Sequence, residues 1–311
     1  MRIFIQTETH ERQGGVTTYV TQLLKHFPDE VQVVQETACE AVLHVGPHRY
    51  GAFKPGVRHV VVVHDLIPEL LWGDESVRQE RRAALERADA VIAVSNWTKK
   101  DVVREYGIAP AKVRVVYHGV TRGASDGLGS SDGRKPYLLY VGKRNEYKRF
   151  RWMLRALVPF MWRHPSYRLV CTGEPFCRRE IVWLLATGLW WRTSVKRYDD
   201  AELARLYAGA KAFVFPSSYE GFGLPLLEAM AAGCPVIASR STCLPEVGGD
   251  AAAYFAPDDA ADFRRVLKNV VQADKATRQK MLDAGYRRVN DFSWEKCARE
   301  TAEVLKSVLA V

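Results

Sequence analysis

FPSSYEGFGLPLLEAMAAGCPVIAS, residues 215–239, decides how the rest of the chain is read. The apolar run Ala212–Phe215 leads into a loop holding Glu220, Gly221 and Gly223. A helix is predicted from about Pro225 to a stop at Gly233, and a second strand, Pro235–Ser239, begins at once. Glu220 and Glu228, eight positions apart, thus flank a glycine turn at a helix N-terminus. Free N–H groups at such a terminus take an anion, and carboxylates accept from hydroxyls. A sugar diphosphate offers both an anion and hydroxyls.

Working outward, apolar runs occur at Ile3–Gln6, Val31–Val34, Ala41–Val45, His59–His64, Ala90–Val94 and Val113–Tyr117. Helical patterns intervene at Val16–His26, Ser76–Arg87 and Trp97–Glu105, the last capped by Ser95 with Asp101 expected on its exposed face. Continuous Val/Ile/Leu strands alternating with helices indicate a parallel sheet covered on both faces. Thr121–Lys135, TRGASDGLGSSDGRK, has almost nothing to bury and reads as a flexible linker. Alternation resumes at Tyr137–Val141, Phe150–Met161, Arg168–Cys171, Arg178–Ala186 and Ala201–Gly209. The expected organisation is an α/β chain of two Rossmann-like, doubly wound domains facing across a cleft. An N-terminal domain spans 1–121, a linker 122–135, and a C-terminal ligand domain 136–291. A final helix in 292–311 returns to the first domain. One large sheet with an inserted loop is the structural alternative.

The 311 residues suffice for two domains with their own cores, and the composition is that of a globular protein. The six cysteines show no zinc-site spacing and suit free thiols in a reducing cytoplasm. MRIFIQT lacks the apolar core of a signal peptide, and Ile181–Trp191 is too short to span a membrane. The net charge is +9, yet residues 1–121 carry 15 Lys+Arg against 15 Asp+Glu, while Lys143–Arg197 carries 13 against 3. A basic surface of this kind attracts nucleotide phosphates, anionic membrane or nucleic acid. No aromatic–basic module for nucleic acid is evident, so nucleic acid is not an expected partner.

The candidate ligand residues sit where strands end. Gly14 and Gly15 follow the first strand and permit close backbone approach. His64 and Asp65 end VVVVHD; His64 is expected at a transferred sugar, Asp65 to orient it or cap the following turn. In LLYVGKRNEYKRF, Gly142, Lys143, Arg144 and Lys148 form a cationic loop suited to clamp a diphosphate. The spacing is not that of a P-loop. Glu220 is placed to bond sugar hydroxyls, Glu228 to accept from ribose, and Phe222 and Leu224 with neighbouring amides to face sugar and phosphate.

These residues resemble the signature of retaining nucleotide-sugar glycosyltransferases of family 4, which have the GT-B fold. GGV, VHD, VIAVSNWTKKD, VYHGV, YLLYVGKRNEYKRF, DDAELARLYAGAKAFVFPS and DFSWEKCARET fall in the family's order. The resemblance implies that Arg144 and Lys148 are the diphosphate cations. It makes Glu220 and Glu228 the two members of the E-x7-E motif, and His64 the histidine near the reacting centre. It also implies transfer with retention and no metal, with the leaving phosphate helping to deprotonate the acceptor. The first domain is shorter than usual for the family. The cationic loop departs from the family's common arginine–lysine form, which leaves open whether Lys143 or Arg144 partners Lys148. Thr121 stands where a relative would have aspartate after VYHGV.

The implied function is transfer of a hexose, mannose favoured, from a nucleotide-diphosphate sugar to a glycan or lipid-linked acceptor. The expected donor is GDP-mannose, with a UDP-hexose as the other choice, and no cofactor is expected. The expected location is cytoplasmic and peripheral on the inner leaflet. There, arginine-rich helices with Trp152, Trp162, Trp183, Trp190 and Trp191 would meet an anionic membrane surface, unless these tryptophans serve the core. The competing reading is a sugar-nucleotide-binding subunit or regulator that has lost transfer.

Overall fold

The computed structural model describes residues 1–7, 15–46, 53–121 and 135–310. The chain divides into two compact units, Met1–Gly119 with Phe292–Val311, and Val120–Asp291. Residues 122–134 of the expected linker, and Gly14, lie outside the described residues.

Unit 1 runs β1 (Arg2–Gln6), α1 (Gly15–His26), β2 (Gln32–Val33), β3 (Ala41–Val45), β4 (Arg58–Val63), α2 (Ile67–Leu71), α3 (Glu75–Arg87), β5 (Ala90–Ala93), α4 (Asn96–Tyr106) and β6 (Val113–Val115). Its parallel sheet has the order β2-β1-β3-β4-β5-β6. All of β3 and β5, and all but the first residue of β4, are buried, as continuous apolar runs require when helices cover both faces. Ser95 caps α4 by accepting from the Thr98 N–H at 3.0 Å. Asp101 corrects the expectation of an exposed site. It lies with Thr98 and Val102 on the buried face, 1% exposed, its charge met by Arg104 at 2.9 Å.

Unit 2 runs β7 (Tyr137–Tyr140), α5 (Phe150–Arg163), β8 (Arg168–Thr172), α6 (Arg178–Ala186), β9 (Thr193–Lys196), α7 (Asp200–Gly209), β10 (Ala212–Phe215), α8 (Leu224–Ala231), β11 (Val236–Ser239), α9 (Leu244–Gly248), β12 (Ala252–Phe255), α10 (Ala260–Val271) and α11 (Lys275–Val289). The order is β12-β11-β10-β7-β8-β9, again parallel. The described strands therefore make two sheets, not one. The winding of unit 2 reverses between β7 and β10, which is where doubly wound sheets bind ligands, beyond the strand C-termini. The two loops that leave this point are 141–149 and 216–223, the cationic loop and the glycine loop of the sequence.

After Asp291 the chain returns to unit 1 as α12 (Trp294–Leu309), capped by the Ser293 hydroxyl. Trp294, Cys297, Ala298, Thr301, Leu305 and Val308 recur at helical spacing and are buried, and the helix packs on α1 and alongside β4 and β5. Gly119 makes that return possible. A Cβ there would stand 2.2 Å from the Trp294 nitrogen and 2.5 Å from the Ser293 carbonyl carbon, both backbone atoms. Gly119→Ala is therefore expected to lower stability by about 1–3 kcal/mol, the usual cost of overpacking. Gly15→Ala, at a position where a Cβ meets nothing within 4 Å, should change it little. Urea unfolding midpoints of the two variants check this contrast.

Candidate active site

In unit 2 the two switch-point loops are joined by an ion pair. Lys148, in the 3-10 turn Glu146–Lys148, donates from Nζ to Glu220 Oε1 at 2.6 Å. The two side chains are only 14% and 10% exposed. The ammonium also lies 5.2 Å from the Tyr147 ring centroid and 5.5 Å from that of Phe215, a cation–aromatic contact with each. Backbone bonds hold the pair in register. The Tyr147 carbonyl accepts from the Ser218 N–H at 2.8 Å and from its hydroxyl at 3.1 Å. Thr242 accepts from the Glu220 N–H and donates to the Glu220 carbonyl, each at 3.1 Å, and the Cys243 thiol donates to the same carbonyl. Glu220 is thus fixed at both ends, by its own peptide and by a cation.

Arg144 is turned elsewhere. Its Nε donates to both oxygens of Glu180 at 3.2 and 3.3 Å, and its Nη2 to the carbonyls of Glu174 and Pro175 at 2.7 and 2.6 Å. The guanidinium is further enclosed by the rings of Phe150 and Phe176. Glu180 also accepts from the Cys177 N–H in a capping box at the start of α6, so this carboxylate ties α6 to the β7 loop. The two cations have different carboxylate partners, and Arg144 is held by protein groups. Lys143 is exposed. Gly142 adopts φ +127°, a backbone region that L side chains rarely enter, and its N–H reaches the Thr172 hydroxyl at 3.3 Å.

The glycine loop enters α8 through Gly223, the N-cap residue, at φ +87°. That conformation demands glycine, and a Cβ there would also press on Leu244 Cδ2 at 2.8 Å. Gly221 and Gly223 are buried and Leu224 is half-buried. Phe222 is 4% exposed, its ring buried with the core. Glu228, one turn into α8, accepts from the Tyr207 hydroxyl at 3.3 Å. Burial raises its pKa, and the Tyr207 hydrogen bond opposes the rise. Among the described residues no group of His, Cys, Asp and Glu is arranged to hold a metal.

Unit 1 contributes His64, immediately after β4. Its ring meets Tyr19 edge-on at 5.0 Å and His118 at 5.3 Å between centroids, and His118 stacks at 5.8 Å on Trp294 of α12. His64 Nε2 is buried without a hydrogen-bond partner among the described residues. Burial pushes the His64 pKa down to about 4, with Asp65 opposing and Arg81 assisting, so the ring is neutral at pH 7. Asp65 caps the turn into α2, accepting from the Ile67 N–H at 3.0 Å. Gly15 opens α1 and is exposed. The sequence reading passed over Tyr19, His118 and Trp294. The signal for His118 was the polar residue at the strand end in VYHGV, the same signal that marked His64.

A family model described as glycosyl transferases group 1 matches residues 129–288, more than half of the chain and all of the site in unit 2. The chain belongs to the group 1 glycosyltransferases. A model for glycosyltransferase family 4 matches residues 39–122, most of them in unit 1. Among curated relatives of this glycosyltransferase, O-antigen chain mannosyltransferase B of Escherichia coli is 31% identical over 269 residues, covering 80% of this chain and 70% of its own. Alpha-maltose-1-phosphate synthase of Mycolicibacterium smegmatis is 31% identical over 292 residues, covering 82% and 74%. A solved structure of Anabaena Alr3699/HepE in complex with UDP and glucose superposes with a TM-score of 0.78 at 16% identity, covering 98% of this chain and 99% of that one. The two α/β units of this glycosyltransferase thus have the GT-B fold.

Two outcomes follow for the glycosyltransferase. Unfolded histidine binds a proton below about pH 6.5, whereas folded His64 does so only near pH 4, so its contribution is complete above pH 6.5 and lost as pH falls towards 4. At pH 5 this amounts to about 2 kcal/mol. His64→Asn should flatten the dependence between pH 7 and pH 5 by about that amount, measured by urea unfolding at both pH values. The Lys148–Glu220 pair should behave as a nearly buried ion pair. Lys148→Met or Glu220→Met alone leaves an unmatched charge and is expected to cost about 3–5 kcal/mol. The double variant should recover most of that loss in the same assay, giving a large coupling energy.

Proposed function

We propose that this glycosyltransferase moves a hexose, mannose favoured, from a nucleotide-diphosphate sugar to a glycan or lipid-linked acceptor, with retention of anomeric configuration and without a metal. The reading belongs to polysaccharide synthesis, and its supports are the mannosyltransferase relative and the site in unit 2. The observation that carries it is the Lys148–Glu220 ion pair at the switch point of that unit. A cation and a carboxylate side by side suit a ligand with a diphosphate next to sugar hydroxyls.

In the proposed reaction the acceptor oxygen bonds to the anomeric carbon while the bond from that carbon to the diphosphate oxygen breaks. The acceptor proton passes to the departing phosphate on the same face. Negative charge grows on the diphosphate, and a fixed cation with helix N–H groups stabilises it without reorganisation. Lys148 and the start of α8 take that task. Arg144 acts through Glu180 to hold the loop, and Lys143 is the second cation proposed to reach phosphate. Glu220 accepts from hydroxyls of the transferred sugar, Glu228 from ribose, and the neutral imidazole of His64 offers a hydrogen bond to the sugar. GDP-mannose is the favoured donor and a UDP-hexose the competing one.

The test is a donor panel offered singly to pure protein, with label transfer and thermal shift read together. GDP-mannose should raise the melting temperature, by mass action, and release label to acceptor or water at a rate unchanged by EDTA. Lys148→Met should lower kcat/KM by about a hundredfold or more, the loss typical of one electrostatic donor. Turnover with UDP-sugars alone would replace the donor, loss of activity in EDTA would overturn metal independence, and binding without turnover on any acceptor would favour the silent subunit.

A further inference from the structure

Three of the basic residues of unit 2, Arg151, Arg155 and Arg179, line one groove. α5 and α6 follow the neighbouring strands β7 and β8 and run side by side. At their N-terminal ends they enclose a groove of about 230 Å³ lined by Arg151, Leu154, Arg155, Arg179, Glu180 and Trp183. Arg151 and Arg155 are one helical turn apart, and both are exposed with Arg179. Among the described residues none of the three has an ion-pair or hydrogen-bond partner. The carboxylate in the groove wall, Glu180, is buried against Arg144, and the nearby Glu174 is engaged by Arg197.

At their C-terminal ends the same helices are apolar and uncovered. Trp162 is 63% exposed, its indole N–H bonded to the Thr187 carbonyl at the end of α6. Val182 and Leu185, on successive turns of α6, are 59% and 53% exposed, and Trp191 in the following 3-10 turn is 82% exposed. The other tryptophans of this region differ: Trp152, Trp183 and Trp190 pack against the core. The face is thus basic at one end and aromatic–aliphatic at the other, about 16 Å along the helix at 1.5 Å per residue. Exposed indoles beside arginines are the chemistry of a membrane–water interface.

We propose that this α5–α6 face docks on an anionic phospholipid bilayer, with Arg151, Arg155 and Arg179 taking lipid phosphates and Trp162, Val182, Leu185 and Trp191 entering the interface. A second copy of the chain is a poorer occupant, because it would set unpaired arginines against unpaired arginines. The inference deepens the membrane side of the proposed function and rests on it for biological sense, but not on any donor or acceptor. It gives a lipid-linked substrate a surface along which to reach the enzyme.

The experiment is flotation of the full chain, without donor or acceptor, with vesicles of phosphatidylcholine alone or with 30% phosphatidylglycerol, at low and high salt. The expected result is at least about tenfold stronger binding to the anionic vesicles, weakened by salt. Arg151→Gln/Arg155→Gln/Arg179→Gln should reduce it about a hundredfold. Leu185→Ser/Trp191→Ser should also reduce it, at an unchanged melting temperature, since both sites are exposed. Failure of the wild type to float with anionic vesicles overturns the proposal, as does wild-type flotation by either variant. Loss in the arginine variant with none in the Leu185/Trp191 variant also overturns it, because the face would then be a simple anion site suited to an acidic protein or nucleic acid. Transfer activity is measured separately, so a failure here leaves the donor reading standing, and the reverse.

Discussion

One nearly buried ion pair, Lys148 to Glu220, organises what unit 2 presents at its switch point. The two residues lie 72 positions apart and come together because β7 and β10 are neighbours in the sheet. The lysine meets two aromatic faces and the Glu220 carboxylate there. Removing either charge strands the other, so the pair is expected to persist until a ligand of matching charge competes for the ammonium. In the proposed reaction a diphosphate competes in this way, and the released carboxylate would then accept from sugar hydroxyls.

The surroundings fit that exchange. Thr242 and Cys243 hold the Glu220 peptide, and Ser218 straps the Lys148 turn, so the side chains rather than the backbone are left to respond. Gly223 begins α8 in a conformation open to glycine, beside the core packing of Leu244. Glu228, raised in pKa by burial and sharing a hydrogen bond with Tyr207, is a second carboxyl on the same short helix. A helix N-terminus with a fixed carboxylate before it and a half-buried one within it is an economical receptor for a phosphorylated polyol.

Much of the fold was legible because its strands are continuous apolar runs. The six strand segments read in the first 121 residues each correspond to a strand, and Trp294–Leu309 was readable from its periodic apolar face. β9 was missed because TSVK is a polar edge strand with alternating exposure. β12 is half-buried and built on alanines, and the helices between residues 240 and 291 carry no ligand motif to draw attention. Within the candidate site, chain order placed Lys148 in the loop after β7, Glu220 in the glycine loop and Glu228 in the helix that follows it. It could not show that Arg144 turns to Glu180 or that Phe222 turns into the core, since both depend on side-chain partners set by tertiary packing. Asp101 was misjudged for the same reason: helical phase alone did not reveal that Arg104 would cover its buried charge. The ring cluster around His64 was not legible although the return of the last helix was expected, because no local pattern shows that Trp294 would stack on His118.

The most direct measurement is a crystal structure with GDP-mannose or GDP bound. The account predicts a diphosphate oxygen within hydrogen-bonding reach of Lys148 Nζ and of the first N–H groups of α8, with the Lys148–Glu220 contact loosened. A diphosphate held by Arg144, or in the groove of Arg151, Arg155 and Arg179, with Lys148 still closed on Glu220, would contradict it.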